Sequence, residues 1–160
     1  MELVVSSLLA TVLMMLIAGA WATFGRPALE VEARARITQE AILATQSITC
    51  DLGGFLADRP GQTGTLDHYS FIDWNLSNID VLLLNFRGVT PGDLIVVRYQ
   101  VQDNKLVRFN SSTGAVMTIA NHVTGFAVAT DPDNANRIRI QIKISYRNFT
   151  GTYFLIAVSA

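Results

Sequence analysis

The chain has 160 residues, enough for one ordinary domain with an appendage but too few for two full domains. Its net charge of −1 gives no electrostatic basis for binding nucleic acid or an anionic membrane surface. Cys50 is the only cysteine, which excludes an internal disulfide and any metal or redox site built on a cysteine pair.

Residues 1–24 are predicted to form a helix that spans a membrane or lies in the core of a filament. No charged residue occurs between positions 3 and 22. At about 1.5 Å per residue, a helix of this length reaches roughly 36 Å, more than the hydrocarbon core of about 30 Å. Large aliphatic residues dominate it: Leu3, Val4, Val5, Leu8, Leu9, Leu13, Leu16 and Ile17.

A cleaved secretory signal is the alternative interpretation of the same segment. The tripeptides at 18–20 and 20–22 both have the small residues that signal peptidases prefer. Against this, no Lys or Arg precedes the apolar run, and the run is longer than the usual core of about 7–15 residues. Charge leaves the membrane orientation open, because Arg26 follows the run and nothing basic precedes it.

Residues 25–57 are predicted to form an amphipathic stalk helix. Pro27 has no backbone N–H, so it should kink the first helix or restart it at a new first turn. Gly53 and Gly54 are expected to end or fray the stalk. Apolar residues at three- and four-residue steps form one packing stripe along it: Ile37, Ala41, Ala44, Ile48, Leu52 and Phe55.

Residues 58–160 are predicted to form an antiparallel β head, which gives an α+β fold with the sheet packed on the stalk. Residues 137–146 alternate, with isoleucines facing one way and Arg137, Arg139 and Lys143 facing the other. Asp103 and Asn104 indicate a hairpin turn between strands at 93–101 and 105–109. Further strands are predicted at 68–74, 81–86, 116–120, 125–129 and 153–158, and they form one meander of seven or eight strands.

The sequence indicates no catalytic residue, metal site or cofactor. His68 and His122 have no partner at a metal-ligand spacing, and Cys50 lies on the predicted stalk, where packing explains it. The Asp131–Asn134 segment lacks the glycine and terminal glutamate of a calcium loop and is typical of a turn. Neither nucleic acid nor a small-molecule substrate is therefore expected as a partner.

The start of the chain, Met1-Glu2-Leu3-Val4-Val5 followed by apolar residues, resembles the class III N-terminus of type IV pilins and pseudopilins. That family has a basic leader ending in Gly, then Phe-Thr-Leu, any residue, Glu and a long apolar helix. The resemblance implies that Glu2 is the assembly residue, pairing with the N-terminal amine of an adjacent subunit. The simpler interpretation is that Glu2 is the hydrated end of the helix. If the resemblance holds, the codons before Met1 should encode the leader.

Several later segments resemble, in order, the J-type minor pseudopilin of type II secretion. These are residues 48–52, 94–101 with 104–108, and 119–128. The resemblance implies a non-enzymatic minor pseudopilin or minor pilin of a bacterial filament, with other pilins or pseudopilins as partners through the N-terminal helix. It implies a single-pass protein of the inner membrane with its head in the periplasm. The alternative is a secreted or membrane-anchored β-domain binding module without a filament role.

Overall fold

The computed structural model describes the backbone of residues 2–53, 55–56, 67–68, 70–78, 80–87, 92 and 94–158. The side chains of residues 2–3, 55–56, 67–68, 70–78 and 135–136 lie outside the described part. The chain separates into two compact units, Met1–Arg36 and Ile37–Ala160. The predicted boundary between stalk and head at residues 57 and 58 falls outside the described residues.

The first unit is helical and contains a change of helix type. Helix α1 covers Glu2–Ala20, a π-helical turn covers Trp21–Gly25, and helix α2 covers Arg26–Leu52. The N–H of Arg26 donates to the carbonyl of Trp21, five residues back. Pro27 has no backbone N–H, so it cannot make the usual α-helical hydrogen bond to the carbonyl four residues back. The π-helical turn lies directly before this position, where the α-helical hydrogen-bond pattern would be broken in any case. The regular α-helix is therefore interrupted, and it restarts at Arg26.

The second unit begins with the last part of α2, whose apolar stripe faces a core. Ile37, Ala41, Ala44 and Ile48 are buried in one cluster with residues of the sheets, and Leu52 packs at its margin. The helix ends at Leu52, with the N–H of Gly53 bonded to the Thr49 carbonyl.

Phe55, predicted as the last member of the stripe, is not on the helix. It lies in a short strand, and its side chain is outside the described part. The reason is the glycine pair at positions 53 and 54, since glycine costs about 1 kcal/mol relative to alanine within a helix.

The described strands of the head are antiparallel and form three sheets. Strands β3 to β7 form a five-stranded sheet in sequence order, β8 to β10 form a three-stranded sheet, and β1 pairs with β2. With the leading helix this is an α+β fold, as the sequence predicted. The strands are β1 Phe55–Leu56, β2 Asp67–His68, β3 Ser70–Asn78, β4 Val81–Arg87, β5 Leu94–Gln102, β6 Lys105–Asn110, β7 Val116–Asn121, β8 Val123–Asp131, β9 Asn134–Tyr146 and β10 Phe149–Val158.

The chain passes from one large sheet to the other at His122. This residue has a φ of 60°, a left-handed conformation that redirects the backbone between β7 and β8. Its carbonyl accepts a hydrogen bond from the N–H of Ser145 in the second sheet. A single continuous meander was expected from the strand pattern, but strands β7 and β8 do not pair with each other, so the described strands form two main sheets.

Strand β9 carries much of the head's core. Ile138, Ile140, Ile142 and Ile144 are fully buried, and they alternate with exposed polar residues, as the sequence predicted. The turn at Asp103 and Asn104 is also confirmed, since both have positive φ, as a tight two-residue hairpin turn requires. The buried isoleucines share their core with both large sheets and with the stripe of α2.

Candidate functional site

The N-terminal helix presents apolar surface on all sides. Every residue from Val4 to Phe24 is exposed, and the large aliphatic side chains from Val4 to Ile17 keep between 47% and 70% of their surface exposed. All the aliphatic residues predicted for the membrane helix from Val4 onward belong to this surface. The side chains of Glu2 and Leu3 lie outside the described residues. Exposing so large an apolar surface to water is unfavourable.

The length and composition of this helix suit a bilayer. Within the described part of the chain, one helix, Val4–Leu52, is long and apolar enough to cross a membrane, a property that membrane anchors share with signal sequences. Helix α1, Glu2–Ala20, has 19 residues. At about 1.5 Å per residue these span roughly 28 Å, close to the thickness of a hydrocarbon core.

Three hydroxyl side chains along the apolar segment donate hydrogen bonds to carbonyls of the helix itself. Ser7 donates to the carbonyl of Val4 at 3.0 Å, and Thr11 donates to the carbonyl of Ser7 at 2.8 Å. Near the other end, Thr23 donates to the carbonyl of Gly19 at 2.8 Å. Such bonds let a hydroxyl enter an environment without water, because the donor needs no solvent partner.

The π-helical turn contains a close contact between Trp21 and Gly25. A Cβ atom added at Gly25 would lie 2.7 Å from Cε3 of the Trp21 indole, closer than carbon atoms approach. Glycine at this position therefore lets the ring lie against the backbone. The remaining surface of Trp21 is exposed.

A buried polar cluster fixes the end of α2 to the five-stranded sheet. Asp51 accepts hydrogen bonds from the Arg108 guanidinium, at 2.6 Å from Nε and 3.1 Å from Nη2. The hydroxyl of Tyr99 donates to Asp51 at 2.5 Å. Asp51 and Arg108 are both buried, so each charge depends on the other for the interactions that water would have supplied.

Tyr99 is held in its neutral form by this environment. Burial, followed by the negative charge of Asp51, raises the pKa of the Tyr99 hydroxyl well above its usual value. A hydrogen bond between Tyr99 and Ser47, with 3.0 Å between the two oxygens, adds a second contact to the helix. The neutral hydroxyl can therefore remain a donor to Asp51.

Two further polar contacts connect α2 with the sheets. The buried Glu40 carboxylate accepts a hydrogen bond from the N–H of Asn121 at 2.8 Å. The hydroxyls of Thr38 and Tyr153 lie 3.5 Å apart. Glu40, Ser47 and Asp51 are separated by seven and four positions, so they share one helix face beside the apolar stripe. This row of polar contacts was not predicted from the sequence. Its one signal in the sequence is that Glu40, Ser47 and Asp51 recur at the helical period.

The apolar helix and the polar contacts of α2 are thus the two features that bear on function. The sequence predicted the first from composition. It did not predict the second, because the partners of Asp51 lie 48 and 57 positions away. Comparison with known proteins identifies no relative: no protein-family model, no curated protein and no solved structure matches the chain.

Proposed function

We propose that this chain is a minor pseudopilin or minor pilin, a structural subunit that is held in a membrane and assembled into a filament through its N-terminal helix. The observation that carries the proposal is the uncovered apolar surface of α1, which leads through α2 into a β head. This α+β layout is compatible with a pilin-like fold. In the proposed role, lipid covers α1 before assembly and other subunits' helices cover it afterwards.

The composition of α1 supports both environments. Its large aliphatic residues suit lipid, and Ser7, Thr11 and Ala18 recur at spacings that place them on one side of the helix. Small residues on one side permit close approach of a second helix. The hydroxyls of Ser7 and Thr11 are already bonded within the helix, so either kind of neighbour leaves them satisfied.

Glu2 has a defined role in this proposal. An acidic group in an apolar filament core costs several kcal/mol unless it meets a positive partner. We assign that partner to the N-terminal amine of a neighbouring subunit, as in the family that the N-terminus resembles. The pair would fix the axial position of one helix against the next rather than add much stability.

The attachment of α2 to the head supports a structural role. From Ile37 to Leu52 the helix is fixed by buried apolar contacts and by the Asp51–Arg108 ion pair. Asp51, Tyr99 and Arg108 are engaged with one another, so they serve to hold the helix on the sheet. The proposed location is the bacterial inner membrane, with the head in the periplasm, and then the assembled filament.

The test is incorporation of a Glu2→Leu variant beside partner subunits. A cysteine at Ala18 in a Cys50→Ser background, co-expressed with a host pilin-like subunit that carries a cysteine at the same depth of its own apolar helix, should give disulfide crosslinks between the two subunits in assembled filaments when a mild oxidant is added. We expect Glu2→Leu to abolish these crosslinks while the protein stays in the membrane fraction after carbonate extraction, because the helix becomes more apolar. Val5→Leu is the matched control and should crosslink as the unsubstituted chain does.

Two outcomes would contradict the proposal. Crosslinks that persist unchanged in Glu2→Leu would show that Glu2 is only the hydrated end of the helix. Recovery of a soluble, shortened chain cleaved near Ala20 or Ala22 would show that the apolar segment is a secretory signal. The head would then be a secreted binding module.

A further inference from the structure

Strand β10 is a sheet edge that no described strand covers. It lies at one side of the three-stranded sheet, whose order is β10-β9-β8. Its ten residues pair with β9 from Phe149 to Val158 without a register shift. A long regular edge presents a row of backbone N–H and C=O groups on which another strand can pair.

The other edges of the two large sheets are irregular, and β10 is not. Strand β8 has register shifts at both ends of its pairing with β9. Strand β3 has two shifts against β4, and the pairing of β7 with β6 contains one. Strand β10 has no shift, and its sequence contains neither a charged residue nor proline. Proteins normally protect edges with such features, so β10 lacks the usual barrier to strand addition.

The turn before β10 determines which backbone groups point away from β9. Arg147 and Asn148 form a two-residue turn, with Tyr146 paired to Phe149. In such a hairpin the closing pair is hydrogen-bonded, and bonded positions then alternate along the strand. The N–H and C=O groups of Phe149, Gly151, Tyr153 and Leu155 therefore bond to β9, while those of Thr152, Phe154 and Ile156 point to the open edge.

The same alternate residues place large apolar side chains on the outer face. Phe154, Ile156 and Val158 are 71%, 58% and 57% exposed. Tyr153 and Leu155, on the opposite face of the strand, pack on the core. The open edge and the exposed apolar row thus coincide on one strand, and an added strand would cover both.

Cations lie beside this row on the neighbouring strand. Lys143 is paired in register with Thr152, Arg139 with Ile156 and Arg137 with Val158, and all three cations are exposed. Arg139 contacts the buried carboxylate of Asp131 at 3.1 Å. The outer face is therefore net positive. Lys143 is separated from a strand added to β10 by about 10 Å, which extended lysine and glutamate side chains can bridge above the short Thr152.

We propose that an extended segment of a partner protein adds to β10 as a further strand. Two of its alternate side chains are apolar and lie against Phe154 and Ile156, and the next alternate side chain is acidic and pairs with Lys143. A second copy of β10 does not fit, because that strand has no acidic residue. A lipid surface does not fit either, because hydrocarbon offers no hydrogen-bonding partners for the backbone groups of the edge. This binding role does not depend on the filament role proposed above.

A synthetic peptide as long as β10 tests the proposal on the full chain in detergent micelles. The peptide carries Glu, Val and Val at successive alternate positions and Thr elsewhere, with a fluorescent label for anisotropy. We expect it to bind, and we expect amide exchange to slow at Phe154 and Ile156 but not at Tyr153 or Leu155. Methylation of the peptide amides that face β10 should abolish binding, because strand pairing needs those donors.

Variants of the full chain separate the contribution of the apolar row to peptide binding from that of the Lys143 charge. Phe154→Lys should weaken binding about tenfold or more, whereas Val116→Lys, at an exposed apolar position on β7, should not. Lys143→Glu should weaken binding of the Glu peptide and restore it for a peptide with Lys in place of Glu. Circular dichroism should confirm that each variant is folded.

Three outcomes would overturn the proposal. The first is failure of every peptide to bind, or equal binding by Phe154→Lys and Val116→Lys. The second is binding that survives amide methylation, which would show that the face recognises charge alone, as it would in binding anionic lipid. The third is self-association of the chain without peptide that Phe154→Lys removes, which would make a second copy the occupant.

Discussion

At the scale of single residues, the attachment of the helix to the head depends on a buried charge. Asp51 accepts hydrogen bonds from both Arg108 and Tyr99, and all three side chains are buried. Removing one member of a buried ion pair costs about 3–5 kcal/mol, because the other charge is left without a partner. Loss of one partner of the Asp51–Arg108 pair is therefore expected to lower the stability of the head by more than the intact pair adds to it.

We predict that Asp51→Ala lowers the free energy of unfolding of the head by about 3 kcal/mol or more. The measurement is a urea titration of the full chain in detergent, followed by circular dichroism. Asp133→Ala is the control, since Asp133 is exposed in a turn, and it should change stability by less than about 0.5 kcal/mol. Adding Arg108→Leu to Asp51→Ala should recover part of the loss. Equal stability of the Asp51→Ala and Asp133→Ala variants would contradict the prediction.

The raised pKa of Tyr99 predicts a loss of stability at alkaline pH. The folded state holds the hydroxyl proton more tightly than the unfolded state, in which the pKa is about 10. The contribution is therefore complete below about pH 10 and declines as pH rises toward the folded-state pKa. Between about pH 9 and pH 11, the free energy of unfolding should fall more steeply for the unsubstituted chain than for Tyr99→Phe. Parallel slopes would show that Tyr99 does not contribute.

At the scale of secondary-structure elements, the two faces of α2 differ sharply. Ile48 is fully buried in the core, while Ile42 on the same helix keeps about half of its surface exposed. The difference arises from the helical period: six positions separate the two residues, which leaves their side chains about 120° apart around the helix axis.

These two isoleucines provide a matched test of how the helix is held. Ile48→Ala should lower the free energy of unfolding by about 2–5 kcal/mol, because a cavity remains in the core. Ile42→Ala should change it by less than about 1 kcal/mol. Both variants remove the same atoms, so a similar loss in the two would mean that the stripe is not what attaches α2 to the sheets.

The elements themselves could be predicted from the sequence because their periods are distinct. The isoleucines of β9 alternate, and Asp103 and Asn104 provide a turn that tolerates positive φ. The division into two sheets could not be predicted, because it depends on a left-handed conformation at His122 that no local motif requires. The π-helical turn was also missed, since Pro27 predicts an interruption but not its geometry.

At the scale of the whole molecule, the chain combines two units suited to different surroundings. Residues Met1–Arg36 include the exposed apolar helix, and Ile37–Ala160 enclose a core of their own. Composition alone predicted the apolar helix at the start of the first unit. The role proposed for Glu2 depends on a neighbouring subunit, and the cluster around Asp51 depends on residues far along the chain, so neither could be derived from local sequence.

The residues that contact α2 lie far along the sequence from it, and this affects the chain during its synthesis. Asp51 meets Tyr99 and Arg108, 48 and 57 residues later, Glu40 meets Asn121 after 81 residues, and Thr38 meets Tyr153 after 115. At about 5–20 residues per second, the ribosome needs roughly 5 to 20 seconds to make the strands that cover the helix. Until those strands are made, the stripe of α2 lacks its full cover on the nascent chain, so it can associate with the apolar surfaces of other unfinished chains.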